Sequence, residues 1–492
     1  MGALMLVLLL AALDQTIVAT ALPRIARELN GLQEFSWVAT AYLLASGVST
    51  PLYGKISDLL GRKKIFQFAI LLFLTGSVLC GLSQNMTQLV FFRALQGLGA
   101  GGLMTLVMTI VGDIVPPRER GRYMGYLFAV FGLSSVVGPL LGGFLTDSLS
   151  WRWVFFVNVP LGAVAFYEVT RRLHLPVKKL QHKIDYLGAG LLSSAIVSLL
   201  LATVWGGNTY AWSSPQIIGL FSVSAILTSL FIWCESRAKE PVIPLGLFKN
   251  DIFTVSALMS LFVGITMFAS ILYIPLYQQL VRGYSPTESG LLMLPLVGGI
   301  LGTSIIVGWL ITKIGHYKIF PIIGNIILAL GIWLFSHLSL TTPEWELGIW
   351  MFIIGVGLGM FMQVTTLAIQ NAVDAKNLGV ATSTATFFRS TGAAIGAAVF
   401  GTILTNRLTI HLRELVPKAN GGHANLDING IKSGSVNLHV LPPEISHNIL
   451  LAFVRSFHDM FLIALPFVAA GLINALFLRE KPLRTTQAPP VE

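Results

Sequence analysis

The chain has 492 residues, of which 54% are hydrophobic and 11% charged, with a formal net charge of +10. That balance excludes an ordinary water-soluble domain, in which about a quarter of residues carry charge. It leaves open whether the basic surplus serves nucleic acid or membrane topology, which the positions of the charges decide.

Crossing a bilayer as a helix takes about 20 mostly apolar residues, because backbone polar groups in lipid must be satisfied within the segment. Residues 4 to 22 form the first such run. No Lys or Arg precedes it and it continues past Asp14 to Pro23, longer than a signal-peptide core requires, so an uncleaved first span is expected. Further candidates lie at 36–54, 65–82, 88–112, 123–146, 153–170, 186–204, 216–234, 252–274, 290–312, 319–338, 348–370, 382–405 and 458–478, fourteen in all. With the N-terminus inside, the basic strings KISDLLGRKK, PPRERGR and RRLHLPVKKLQHK fall on inner connections, whereas the short outer loops hold only Arg24, Arg27, Arg152 and Arg282. This is the positive-inside asymmetry, so the surplus charge sets topology and implies no nucleic-acid partner. Cys80 and Cys234 fall within or at the end of spans and suggest neither a disulfide nor a metal site. His411, His423, His439 and His447 lie in the outer stretch at spacings that fit no metal template, and are read as solvated loop residues.

The chain repeats itself. GKISDLLGRKKIF from Gly54 aligns without gaps on GWLITKIGHYKIF from Gly308, pairing Gly54 with Gly308 and Gly61 with Gly315. Gly97, Gly99 and Gly101 pair likewise with Gly355, Gly357 and Gly359, and Gly138 and Gly143 with Gly396 and Gly401. The expected organisation is two related six-helix halves, 1–171 and 252–478, with two inserted helices and inner linkers at 172–251, a long outer loop at 406–457 and an inner tail at 479–492. Parallel repeats about the membrane normal are a transporter architecture, with the substrate site between the halves near mid-depth.

Asp14 is the one acid expected near the mid-plane. Arg93 and Arg389 are the basic residues within spans. A charge there costs about 2.5–3.5 kcal/mol on insertion scales, so an unpaired structural aspartate is improbable. Asp14 lies about 10 residues from the inner end of its span and Arg93 about five from the outer end of its own; at ~1.5 Å per residue the two depths are within an arginine's reach. A static salt bridge is the alternative to a titrating coupling site. Gln96, a turn from Arg93, is expected to join this network, and Arg389 to support it or to serve packing or substrate contact. Glu168 is expected to pair with Arg171 or Arg172 near the inner end of span 6. GLGAGG at Gly97–Gly102 formally fits a dinucleotide fingerprint but sits inside an apolar helix, where small residues four apart serve helix packing.

GKISDLLGRKK, with Gly54, Asp58, Gly61 and Arg62, lies between spans 2 and 3. Its glycines permit a tight turn, and Asp58 is placed to accept from a helix N-terminus or from Arg118, Arg120 or Arg122. The string resembles the loop signature of the major facilitator superfamily. LDQTIVATALP, RALQGLGAGG, GLSSVVGPLLGGFL and WRWVFFVNVP resemble first-, fourth-, fifth- and sixth-span motifs of its fourteen-span drug:proton antiporter family, the EmrB/QacA type. The second half matches mainly through FFRSTGAAIGAAVFG, and its loop copy has Thr312 in place of the acid.

The resemblance implies an all-α polytopic membrane protein of major facilitator fold, with fourteen transmembrane helices, resident in a bacterial inner membrane with both termini cytoplasmic. It implies a proton-coupled exporter of amphipathic, often cationic drugs or other toxic small molecules, driven by the proton gradient with no cofactor or metal. Asp14 and Arg93 would be its proton-coupling residues, and Gly138, Pro139, Gly142 and Gly143 its antiporter-motif packing and gating residues. The same fold exporting a lipid or lysolipid, a siderophore, tetracycline or a metabolite is the alternative, and a membrane enzyme is disfavoured by the lack of HExxH, GxSxG or Walker strings. Trp37, Tyr42, Phe268, Tyr273, Met360 and Phe361 are candidate cavity residues. The outer loop is read as a tolerated insertion, with a substrate cap or a docking surface for an outer protein partner as alternatives; EISHNILLAFVRSF within it has the pattern of an interfacial amphipathic helix.

Overall fold

A computed structural model describes residues 1–29, 35–173, 185–207, 210–238, 241–284, 286–374, 377–415 and 442–483. Among them every extended element is helical; the sole bridge-like pairing is Gly206 with Tyr210. In chain order the helices are α1 Gly2–Glu28, α2 Phe35–Leu60, α3 Arg62–Leu82, α4 Met86–Ile114, α5 Pro117–Ser148, α6 Trp153–Phe156, α7 Asn158–Arg172, α8 Tyr186–Trp205, α9 Pro215–Glu235, α10 Asp251–Leu280, α11 Pro286–Leu292, α12 Leu294–Ile314, α13 Ile319–Phe335, α14 Glu344–Ala372, α15 Leu378–Leu415 and α16 Pro443–Leu476. Among the described residues, 11 helices are long and apolar enough to cross a membrane. Large apolar side chains such as Phe68, Phe91, Phe144 and Trp233 stand exposed on the outside of the bundle. The protein is an integral membrane protein, and these residues face the lipid that replaces water as its solvent.

Local chemistry sets the helix boundaries. Asn85 caps α4 by accepting from Gln88 N at 2.9 Å, Ser214 caps α9, and Asn250 caps α10. Pro51, Pro275 and Pro466 lie inside α2, α10 and α16, which packing within a bundle tolerates. Between α2 and α3 the chain turns at Gly61 with φ 93°, and after α12 at Gly315 with φ 79°. Both are left-handed positions that disfavour a side chain, and the two glycines are partners in the internal repeat.

The packing pattern is repeated as well. α2 packs on α4 as α12 packs on α14, α3 on α4 as α13 on α14, and α1 on α5 as α10 on α15. Close approach at glycine makes these seams. A Cβ on Gly97 or Gly101 would come within 2.4 Å of the Tyr42 or Ser46 carbonyl of α2, and one on Gly355 or Gly359 within 2.1 or 2.7 Å of the Leu296 or Ile300 carbonyl of α12. Across the bundle α5 meets α12 and α2 meets α15, while α8 and α9 pack on each other and α8 leans on α2 and α15.

Both ends of the stretch expected as an outer loop, 406–457, are helical. α15 runs on to Leu415 and α16 begins at Pro443, so EISHNILLAFVRSF is the first part of a helix long and apolar enough to cross a membrane and not a separate interfacial one. Its buried face, Ile449, Ala452, Phe453 and Phe457, explains the continuity. His411 is accordingly a helix residue, with Nε2 2.9 Å from Asp459 of α16, and His447 is exposed on α16. His423 and His439 lie outside the described residues. Glu168 pairs with Arg172 at 2.7 Å, and Arg171 turns to Tyr167.

Candidate functional site

Asp14 sits in the middle of α1 at 0% exposure, and Arg93 on α4 at 2%. The arginine Nη1 donates to Asp14 Oδ2 at 2.7 Å. The other carboxylate oxygen accepts from Gln96 Nε2 at 2.9 Å and from Asn158 Nδ2 at 2.7 Å. Gln96 Oε1 in turn accepts from Arg93 Nη1 at 2.8 Å, and Asn158 also donates to Ser77 Oγ at 2.9 Å. Four helices, α1, α3, α4 and α7, thus contribute one polar side chain or more to a site walled by Cys80, Phe155 and Tyr42. The Arg93 guanidinium lies 4.1 Å from the Tyr42 ring centroid, in cation–π range, and its Nε reaches the Val38 carbonyl at 3.4 Å.

The geometry brings Asp14, Arg93 and Gln96 together. It adds Asn158 and Ser77, to which the sequence assigned no role. Asn158 stands inside WRWVFFVNVP, where a polar amide in an apolar run is the only signal. Arg389 does not join the network: on α15 it lines a separate cavity.

α1 is held against α5 next to the site. A Cβ on Gly138 would strike Thr16 Oγ1 at 1.9 Å and one on Gly142 would strike Thr20 Oγ1 at 2.1 Å, while Thr16 Oγ1 donates to the Ser134 carbonyl at 2.9 Å. Gly143, expected to share this packing role, has open space around it and does not. The Pro139 side chain lies outside the described ones; α5 continues as helix through that position.

The central cavity, of about 420 Å³, is bordered by α1, α2, α4, α5, α8, α10 and α15. Of the candidate cavity residues, Tyr42, Phe268 and Tyr273 line it and Trp37, Met360 and Phe361 do not. Trp37 packs edge-to-face on Trp205 at 5.7 Å; Phe361 is fully buried and Met360 meets Gly324 at the α13 to α14 seam. Tyr42 therefore stands between two compartments, contacting the Arg93 guanidinium and bordering the cavity.

The end of the bundle carrying the basic loops is joined across. Asp58 pairs with Arg62, and its Oδ2 accepts from Val380 N at 3.1 Å in the first turn of α15. Arg62 also reaches Asp113 Oδ2 at 2.8 Å and Ser57 Oγ at 2.7 Å. The helix N-terminus is thus one acceptor option that Asp58 realises. Arg120 instead donates to the Val115 carbonyl at 2.9 Å, to that of Gly112 and to that of Gln370 at 3.4 Å. Arg122 stacks near Tyr126, and the Arg118 side chain lies outside the described ones. Gly54 allows the approach of α2 to α15: its Cβ would fall 2.2 Å from Ser383 Oγ. Gln363 donates to the Gly121 carbonyl and Gln370 to that of Met108 at 3.1 Å, both unforeseen and both linking α14 to the first helices. In the second loop copy Thr312 bonds back to the Gly308 carbonyl of its own helix at 2.9 Å.

Comparison with known proteins agrees with this architecture. The Major Facilitator Superfamily profile matches residues 4–397. An uncharacterized MFS-type transporter, Rv1877, of Mycobacterium tuberculosis is 41% identical over 98% of this chain and 69% of its own length. The multidrug transporter protein MdtP of Bacillus subtilis is 38% identical over 99% of this chain and 93% of its own. In structure, the proton:xylose symporter XylE superposes with a TM-score of 0.60 at 13% identity, covering 98% of this chain and 96% of that one. The chain belongs to the Major Facilitator Superfamily and is a membrane transporter with multidrug-efflux relatives.

Proposed function

We propose that the protein is a proton-coupled antiporter that exports amphipathic small molecules by alternating access, with proton influx as its energy source. The observation that carries this reading is the fully buried Asp14 carboxylate, bonded to Arg93, Gln96 and Asn158 and separated from the central cavity by Tyr42. A carboxylate sheltered from bulk water yet held by donors on two other helices, α4 and α7, can exchange a proton only when the bundle rearranges. Its charge state and the open face of the protein are then linked. A ligand shifts such an equilibrium only by its differential affinity for the two states, so exclusive occupancy by proton or cargo supplies the coupling. Export of drugs is supported by the relatives, MdtP among them.

In this reading fourteen helices cross the membrane: the 11 apolar ones, the short apolar α13, and α2 and α5, whose polar residues serve the cavity and the latch. The two halves are α1 to α7 and α10 to α16, supported by their matching seams, with α8 and α9 inserted. The basic loops and both termini face the cytoplasm of a bacterial cell. The contacts of Asp58, Arg120, Gln363 and Gln370 between halves then close the cytoplasmic side. Asp113 and Arg62 complete that latch.

The experiment is reconstitution into liposomes with an imposed pH gradient, an internal pH dye and a panel of labelled amphipathic compounds. Gradient-driven movement of a compound with stoichiometric proton flux, lost in Asp14→Asn, is the expected result. Undiminished gradient-driven movement in that variant rejects the reading.

A further inference from the structure

Arg93 and Arg389 both lie within apolar spans, and the protein treats them differently. Arg93 is matched by Asp14. Arg389 has no hydrogen bond, ion pair or charged neighbour among the described residues, yet it borders the central cavity. It is the sole charged residue of the described lining, and no carboxylate shares that lining. A cationic cargo would therefore find aromatic rings but no counter-charge in the described lining. A lone guanidinium in the membrane interior is costly and marks a site for a ligand or counter-ion.

A packing role for Arg389 is weakened by its backbone. The α10 to α15 seam is made by glycines at this turn: a Cβ on Gly264 would come within 2.0 Å of the Arg389 carbonyl, and one on Gly392 within 2.1 Å of that of Leu261. The seam closes backbone to backbone, without the arginine head. Thr386, Ser390 and Thr391 border the cavity with it, and Phe268 and Leu272 supply an apolar wall.

We infer that Arg389 is the counter-charge for the cargo, and that the cavity takes amphipathic molecules carrying a single carboxylate or comparable anionic group on an apolar body. A fork of guanidinium donors matches a carboxylate in two parallel bonds. This rests on the transport reading above only for the movement of the cargo; binding stands apart from it. With one proton entering per anion leaving, both steps carry charge in the same sense, so the cycle is electrogenic. Exchange of one proton for a monocation would be electrically silent.

The test uses the purified full chain and three probes on one scaffold: 1-naphthaleneacetate, its primary amide, and 1-naphthylmethyltrimethylammonium. Binding is measured by calorimetry in detergent micelles without a gradient, and uptake in liposomes with one. The carboxylate is expected to bind about tenfold or more tighter than the amide, as a charge-assisted pair predicts, and the ammonium weakest. Arg389→Gln should collapse the carboxylate-to-amide ratio to near one, while Arg389→Lys, which keeps the charge, retains most of it. An inside-negative potential should speed export of the carboxylate.

The inference is overturned if the ammonium binds as well as the carboxylate, if none of the probes binds, or if Arg389→Gln, monodisperse on size exclusion, keeps the ratio. Gradient-driven movement of the amide without any preference for the carboxylate overturns this inference alone. A carboxylate preference dependent on Arg389, with no probe moved by any gradient, supports the inference and overturns the transport reading alone.

Discussion

Replacing Asp14 with asparagine keeps the shape of the side chain and removes its charge. Its carboxylate accepts from Arg93 at 2.7 Å, Gln96 at 2.9 Å and Asn158 at 2.7 Å. The asparagine carbonyl can still accept from Gln96 and Asn158, but its amide then faces Arg93 Nη1, donor against donor. The guanidinium, 2% exposed, is left without a counter-charge. Breaking one partner of a buried pair costs about 3–5 kcal/mol, whereas removing both charges costs much less. Asp14→Asn should therefore unfold at a lower denaturant midpoint than the native protein in mixed micelles, and Asp14→Asn with Arg93→Gln should recover a substantial part of the loss. A double-mutant cycle on these unfolding curves gives the coupling free energy. Gradient-driven proton flux should be absent from both variants, so stability returns in the double variant while transport does not. Additive destabilisation would refute the claim that the pair is mutually dependent, and flux that returns with stability would refute the claim that the carboxylate titrates in the cycle.

Asn158→Leu removes donors to Asp14 and Ser77; unfolding in micelles should show a loss of about 1–3 kcal/mol, and proton-driven uptake in liposomes should fall, native uptake excluding Asn158 from the site. Gly97→Ala places a methyl 2.4 Å from the Tyr42 backbone carbonyl and should depress folded yield, read as monodisperse protein after extraction. Gly143→Ala, with nothing within 4 Å of the added Cβ, should match native yield; equal loss in both would show that the α2 to α4 seam is not tight. Asp58→Asn weakens the Arg62 pair and the acceptance from Val380 N. A cysteine placed in the central cavity should then become more reactive to reagents from the basic-loop side, and unchanged labelling would dismiss the latch.

The spans were legible because apolar runs of sufficient length have few other uses, and the repeated seams because glycines four apart survive as letters. Asp14 and Arg93 were legible because a charge in an apolar run is conspicuous and helix rise converts position into depth. Asn158 and Ser77 were not, since an uncharged polar residue scarcely alters the character of its segment and its partner lies on another helix. Aromatic residues were poorly sorted: Phe268 borders the cavity and Phe361 is buried in packing, though both are phenylalanines in apolar helices. What separates them is which face of the helix meets a neighbour, and a helix apolar on all sides does not declare that. The C-terminal end of α15 and the N-terminal end of α16 were misjudged because polar residues there satisfy one another, as His411 and Asp459 do, and so look like loop.

Tyr42 touches the Arg93 guanidinium at 4.1 Å and also borders the cavity. In the proposed antiport cycle a single phenol ring would be both the floor on which a passenger rests and the shutter that keeps water from the acid behind it. Under that proposal breadth of recognition and tightness against wasted protons would be traits of one side chain, and widening the chamber at this position would carry slippage with it.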